Sequence, residues 1–149
     1  MCLVRLHHPR IAAAVYGADM DVVVVDDDHV GLDLLRMVLE AEGHTVRTSS
    51  TAATALDLLG DAAPEVLVTD LMMGADRQDG YRLIDQVRGR PELAGLPVVA
   101  VSGVTSSHDL GRARSAGADV CLTKPIDVAQ FLAVLREVTA SRRAGGPPA

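Results

Sequence analysis

Five short apolar runs recur along the chain, and between them the apolar positions spread out to helical spacing. The first run, Val22-Val23-Val24-Val25, has no polar face and predicts a strand buried on both sides in a parallel sheet. It ends on Asp26-Asp27-Asp28. Asp28 is placed to cap a helix with Leu34, Leu35, Val38 and Leu39 on its buried side and Gly43 as its stop. His44 to Thr48 alternates and is β-branched, which predicts a second strand. Ser50 or Thr51 caps the next helix, where Ala52, Ala55, Leu56 and Leu59 fall at i, i+3, i+4 and i+7. After Pro64, Glu65 to Asp70 forms a third strand that again closes on an acid. A loop rich in Gly and Asp, Leu71 to Gly80, leads to a helix marked by Leu83, Ile84 and Val87 that ends near Gly89 and Pro91. Pro97 to Gly103 reads as a fourth strand and Ser107 to Ala116 as a weaker helix, stopped by Gly117. Val120 to Thr123 is a short last strand running into Lys124-Pro125, and Val128, Phe131, Leu132, Leu135 and Val138 stripe the final helix.

This alternation predicts an α/β fold, a five-stranded parallel sheet with helices on both faces. Right-handed crossovers leave few topologies. The strand order 2-1-3-4-5 places the C-terminal ends of strands one and three side by side, where such sheets form their ligand crevice. Asp26, Asp27 and Asp70 would then meet, and the fourth and fifth strands would add Ser102 and Lys124 to the same rim. The domain is expected over residues 21–140. Residues 1–20 read as a flexible leader or a start-site artefact, because Met20 sits just ahead of the first strand, and residues 141–149 as a flexible tail. The basic start and short apolar patch fall short of a secretory signal, and His7-His8 with Cys2 reads as a solvated tail rather than a metal site. His44 and His108 are expected to be solvated.

The length of 149 residues suits one domain with a real core, and 48% hydrophobic against 23% charged residues is a globular balance. A net charge of −6 argues against nucleic acid as a direct partner, and with only Tyr16, Tyr81 and Phe131 as aromatics a base-stacking platform is excluded. Cys2 and Cys121 make no disulfide scaffold and no CxxC, which points to a reducing, cytoplasmic setting. No apolar run is long enough for a membrane span.

Adjacent carboxylates repel, by about 4 kcal/mol at about 4 Å in a medium of effective dielectric ~20, so clustered acids make sense around a hard cation. Mg2+ takes a few carboxylates, carbonyls and water and keeps room for phosphate oxygens. A lysine and a hydroxyl opposite it would complete the binding of a phosphoryl group. A carboxylate can itself be the nucleophile and form an aspartyl phosphate.

With these residues the chain resembles the receiver domain of two-component response regulators. The resemblance is carried by Val24-Val25-Asp26-Asp27-Asp28, Val66-Leu67-Val68-Thr69-Asp70-Leu71-Met72-Met73, Val99-Ala100-Val101-Ser102-Gly103, and Gly117-Ala118-Asp119 through Leu122-Thr123-Lys124-Pro125. It implies a flavodoxin-like, doubly wound three-layer sandwich. Asp70 would be the phospho-acceptor, charged from a phosphohistidine on a sensor histidine kinase or a histidine phosphotransfer protein. Asp26 and Asp27 would hold Mg2+ together with Asp70 and the backbone carbonyl of Met72. Ser102 would match the hydroxyl that turns toward the phosphoryl group, with the Gly103 amide beside it. Lys124 would pair with the phosphate, and Lys124-Pro125 would be the family's cis peptide. Such a domain is not a classical enzyme, although it carries Mg2+-dependent self-phosphorylation and self-dephosphorylation chemistry.

Three departures individualise the chain. Gly74 stands where the family usually has a proline, and Ala75-Asp76-Arg77-Gln78 lengthens the approach to Asp79-Gly80 by about two residues. Cys121 stands where the family often has an aromatic that swings inward behind the active hydroxyl. A thiol is too small for that lever, so weaker or different coupling to the far helical surface is expected. Met72 and Val104 offer no polar side chain to orient a hydrolytic water, which predicts slow self-dephosphorylation. No output domain follows the last helix, so a stand-alone receiver acting on a downstream protein target is expected, with homodimerisation through the last helices left open. The rival reading is a receiver-like interaction module that signals without phosphate. A flavodoxin proper would need a Ser/Thr/Gly-rich loop where Asp26-Asp27-Asp28-His29 stands. A haloacid-dehalogenase-type phosphatase would need an aspartate at Met72.

Overall fold

A computed structural model of the chain describes residues 19–103 and 106–145, with side chains up to residue 142. Strands and helices alternate as β1 (Asp21–Val25), α1 (His29–Ala41), β2 (Thr45–Ser49), α2 (Ala52–Asp61), β3 (Val66–Asp70), α3 (Asp79–Gly89), β4 (Val98–Ser102), α4 (Ser107–Ala116), β5 (Val120–Thr123) and α5 (Val128–Gly145). The strands pair in parallel, as the alternation predicted, in the expected order β2-β1-β3-β4-β5, one of the two common for such sheets.

The valine run of β1 lacks a polar face because each of its residues feeds a core. Val22 and Val24 pack with Leu32, Leu35 and Leu39 of α1 and with Phe131, Leu132 and Leu135 of α5. Val23 and Val25 point the other way, into a second cluster with Leu59 of α2, Leu83, Ile84 and Val87 of α3 and Ala113 of α4. The same alternation parts Val66 and Val68 from Leu67, and Val99 and Val101 from Val98 and Ala100. Short polar side chains start α1, α2 and α4. Asp28 accepts the Val30 amide at 3.2 Å, Thr51 that of Thr54 at 3.2 Å, and Ser106 that of Asp109 at 3.2 Å.

Several positions differ from the sequence reading. Met20, assigned to the leader, is 3% exposed and belongs to the α1/α5 core; the rest of that segment, with His7, His8 and Cys2, lies outside the described residues apart from Asp19. His44, expected in solvent, is 8% exposed, because its Nδ1 accepts the Met20 amide at 3.0 Å and so fastens the start of the domain to the α1–β2 junction. Leu34 and Val128 sit on the outer sides of their helices, and Leu32 takes the buried place expected of Leu34. α5 runs on through Gly145, past the boundary at 140; Thr139 on it turns its hydroxyl to the Leu135 carbonyl at 2.8 Å and lies 3.3 Å from Met20 Sδ. The end of the expected tail, from residue 146, lies outside the described residues.

The helices on the second face are not equally anchored. α3 buries Gly80, Tyr81, Leu83, Ile84 and Val87, whereas α4 buries Ala113 alone. Tyr81 fills the space between them: its ring is 3% exposed, the Arg112 guanidinium lies over it at 4.0 Å, and its buried hydroxyl has no hydrogen-bond partner among the described residues. Gly80 brings the start of α3 close to the end of β3. A Cβ there would lie 2.0 Å from the Asp70 carbonyl oxygen and 2.4 Å from Leu71 Cα.

Gly80→Ala should therefore lift the start of α3 off the end of β3 and cost about 3 kcal/mol or more, read as a lower midpoint in urea unfolding. A second expectation concerns pH. Burial depresses the His44 pKa below its ordinary value, with Asp19 and Glu42 opposing and Arg136 adding to the effect. The unfolded chain then takes up a proton near pH 6.5 that the folded one resists, so stability is complete above that pH and falls as the solution is acidified through it. His44→Asn, which keeps an acceptor for the Met20 amide, should show a smaller fall in Tm between neutral and mildly acidic buffer than the parent chain.

Candidate functional site

Parallel register brings the chemistry to one edge. Val25 pairs with Thr69, so the next residues, Asp26 and Asp70, stand level at the ends of β1 and β3. Asp70 pairs with Val101, and Ser102 with Thr123, which sets Ser102 and Lys124 on the same rim. The Lys124 amide donates to the Ser102 carbonyl at 2.9 Å, and the Lys124–Pro125 peptide is cis.

Asp26 is 3% exposed and Asp70 6%, values rare for acids without compensation. Compensation comes from across the sheet: Lys124 Nζ lies 3.0 Å from Asp26 Oδ2 and 3.2 Å from Asp70 Oδ2. The Asp28 amide donates to Asp26 Oδ1 at 2.9 Å, and the Met72 amide to Asp70 Oδ1 at 3.4 Å. Burial pushes the Asp70 carboxyl above its ordinary pKa; Lys124 opposes this and Asp26 adds to it. Burial works against the Lys124 charge, yet the hydrogen bonds and charges of Asp26 and Asp70 outweigh it and hold the ammonium above its usual value.

Asp26, Asp27 and Asp70 each present one carboxylate oxygen, and the three atoms lie within 4.8 Å of one another. That is the hard oxygen donor set a Mg2+ ion takes, with water and phosphate oxygens filling its other positions. Two side-chain cations are already drawn onto the trio, Lys124 on Asp26 and Asp70, and Arg77 on Asp27, whose Nη1 stands 3.3 Å from Asp27 Oδ2. The residues present fit a divalent cation.

The other expected residues are placed as follows. Ser102 is 2% exposed at the end of β4, and Gly103 beside it is exposed, with nothing within 4 Å of where a Cβ would stand. Val104 lies outside the described residues. Met72 is half-buried and bonds the acceptor through its amide. Cys121, opposite Ala100 in the β4–β5 register, is half-buried against the α2–α4 core, and burial raises its thiol pKa. Tyr81 enters the same core from α3. Sequence reasoning missed Arg77: nothing in the spacing of a surface loop residue signals that it reaches an acid 50 positions earlier.

Comparison with known proteins identifies the family. The family model described as response regulator receiver domain matches residues 22–136. An uncharacterized 14.6 kDa protein of the sodA1 3′ region from Leptolyngbya boryana is 38% identical over 120 residues, 80% of this chain and 90% of that one. The transcriptional regulatory protein KdpE of Mycobacterium tuberculosis is 37% identical over 115 residues; the match takes in 77% of this chain and only 49% of KdpE, so the chain spans about half of that relative. Among solved structures, a CheY-like response regulator receiver domain protein from Methanospirillum hungatei JF-1 superposes with a TM-score of 0.78 at 23% identity, over 87% of this chain and 100% of that one, a likeness of fold. Among the described residues no helix is long and apolar enough to cross a membrane. With a family match across most of its length and an acid trio, lysine and buried hydroxyl on one rim, this chain belongs to the response regulator receiver domains of two-component systems.

Proposed function

We propose that the chain accepts a phosphoryl group from the phosphohistidine of a sensor histidine kinase or histidine phosphotransfer protein onto Asp70, with Mg2+ at Asp26, Asp27 and Asp70, and passes the signal on by protein–protein contact in the cytoplasm. One observation carries this reading: Lys124 reaches across the sheet to bridge Asp26 and Asp70, so the acceptor carboxylate has a cation on one oxygen and a backbone amide on the other. A bound Mg2+, held by the three carboxylates and the Met72 carbonyl, would supply charge neutralisation for the phosphoryl oxygens. An Asp70 oxygen attacks phosphorus, the O–P bond forms as the P–N bond of the donor imidazole breaks, and the imidazole leaves with the nitrogen lone pair. Lys124 stays beside the new anion and moves from a carboxylate partner to a phosphoryl partner without leaving the rim. Ser102 and the Gly103 amide, at the adjoining strand end, would answer the added charge.

The surface beside the acceptor supports a helical phosphodonor. Val30, Leu34 and Met37 are 79%, 57% and 66% exposed and stand at i, i+4 and i+7 on α1, which begins directly after the acid turn. Val128, 44% exposed, opens α5 on the same side of the sheet. Large apolar side chains held in water beside a reactive group suit a partner that covers them while its histidine reaches the rim.

Incubation with acetyl phosphate and Mg2+ should add one phosphoryl group to Asp70, seen by intact-mass spectrometry, and neither Asp70→Asn nor the Mg2+-depleted chain should label. No label on a folded chain would sink phosphotransfer and favour the module that signals without phosphate. Leu34→Asp should slow transfer from the cognate kinase by about tenfold or more, the scale of a lost anchor residue, while labelling by acetyl phosphate keeps its parent rate.

A further inference from the structure

The lengthened loop after the acceptor is closed on itself rather than loose. The Arg77 amide donates to the Gly74 carbonyl at 3.3 Å, the Asp79 amide to Met73 at 3.1 Å, and the Gln78 amide to Asp76 Oδ1 at 3.2 Å. Arg82, one turn into α3, grips both Asp76 and Asp79, each at 2.9 Å through Nη1, and holds the Asp76 carboxyl below its usual pKa. Gly74 has φ +81, and a Cβ there would lie 2.1 Å from Asp79 Oδ2, so the loop needs glycine to close. At its tip Arg77 adopts φ +62, among the described residues the one non-glycine in the left-handed region. That backbone turn aims its side chain at Asp27, the member of the acid trio that Lys124 does not touch.

We propose that Arg77 is a built-in competitor for the divalent cation: its guanidinium holds Asp27 until the ion displaces it, so the 74–79 loop sets the Mg2+ affinity of the site. The inference rests on the Mg2+ reading given above. A guanidinium has donors and no acceptor, so it cannot join a coordination shell. At 3.3 Å from Asp27 Oδ2 it occupies that oxygen and repels any ion brought to it. The pair is reversible by construction, since the Arg77 side chain is 54% exposed and that of Asp27 35%, and water can take over both ends. Arg82 cannot replace it, being committed to Asp76 and Asp79.

Mg2+ titration of the full chain by isothermal calorimetry tests this. At low ionic strength Arg77→Gln and Arg77→Gly should each bind Mg2+ about threefold more tightly than the parent, the scale of one exposed ion pair. The gap should close in about 1 M salt, where the Debye length is about 3 Å. Arg90→Gln, at the far end of α3, removes the same charge and should leave the affinity unchanged. Equal or weaker binding by the Arg77 variants overturns the competitor, while loss of binding in Asp27→Asn would leave the metal site itself standing. If the parent and the Arg77 variants all fail to bind, the Mg2+ reading falls and takes the competitor with it.

Discussion

A single ammonium group reconciles the sheet with its acids. Parallel register forces Asp26 and Asp70 level at neighbouring strand ends, where almost no water reaches them. Two such carboxylates repel by several kcal/mol at contact distances even in a fairly polarisable interior, of order 4 kcal/mol at about 4 Å and effective dielectric ~20. Lys124 Nζ sits between them at 3.0 and 3.2 Å and makes their burial tolerable. It can do so only because β5 lies beside β4 at the sheet edge and the Lys124 amide is tied to the Ser102 carbonyl.

Most of this was legible in the chain. The valine run of β1 announced a strand with two buried faces, and its residues divide between two cores. The caps at Asp28 and Thr51 followed from side-chain chemistry that acts within a few residues. The rim was legible because each of its residues closes a strand, and parallel register carries strand ends to a common edge without any fine geometry.

What escaped the sequence depends on contacts between distant segments. His44 reads as a polar residue at a turn until the Met20 amide is seen to bond it, and Met20 reads as leader until Thr139 of α5 is seen beside its sulfur. Leu32 and Leu34 both suit an amphipathic helix; the angle at which α1 lies on β1 decides which is buried. Arg77 belongs to the same class, because its reach is set by a left-handed backbone turn that composition does not report.

The unequal anchoring of the helices has a mechanical meaning. α1 and α5 share one continuous apolar layer with the sheet. α4 holds on through Ala113, the partly buried Ala116 and an arginine lying over the Tyr81 ring, whose own hydroxyl is buried without a partner among the described residues. Local opening is cheapest where few apolar contacts would be lost. Under the phosphotransfer proposed above, charge added at the rim would be flanked by a densely packed helical face on one side and a sparsely anchored helix on the other.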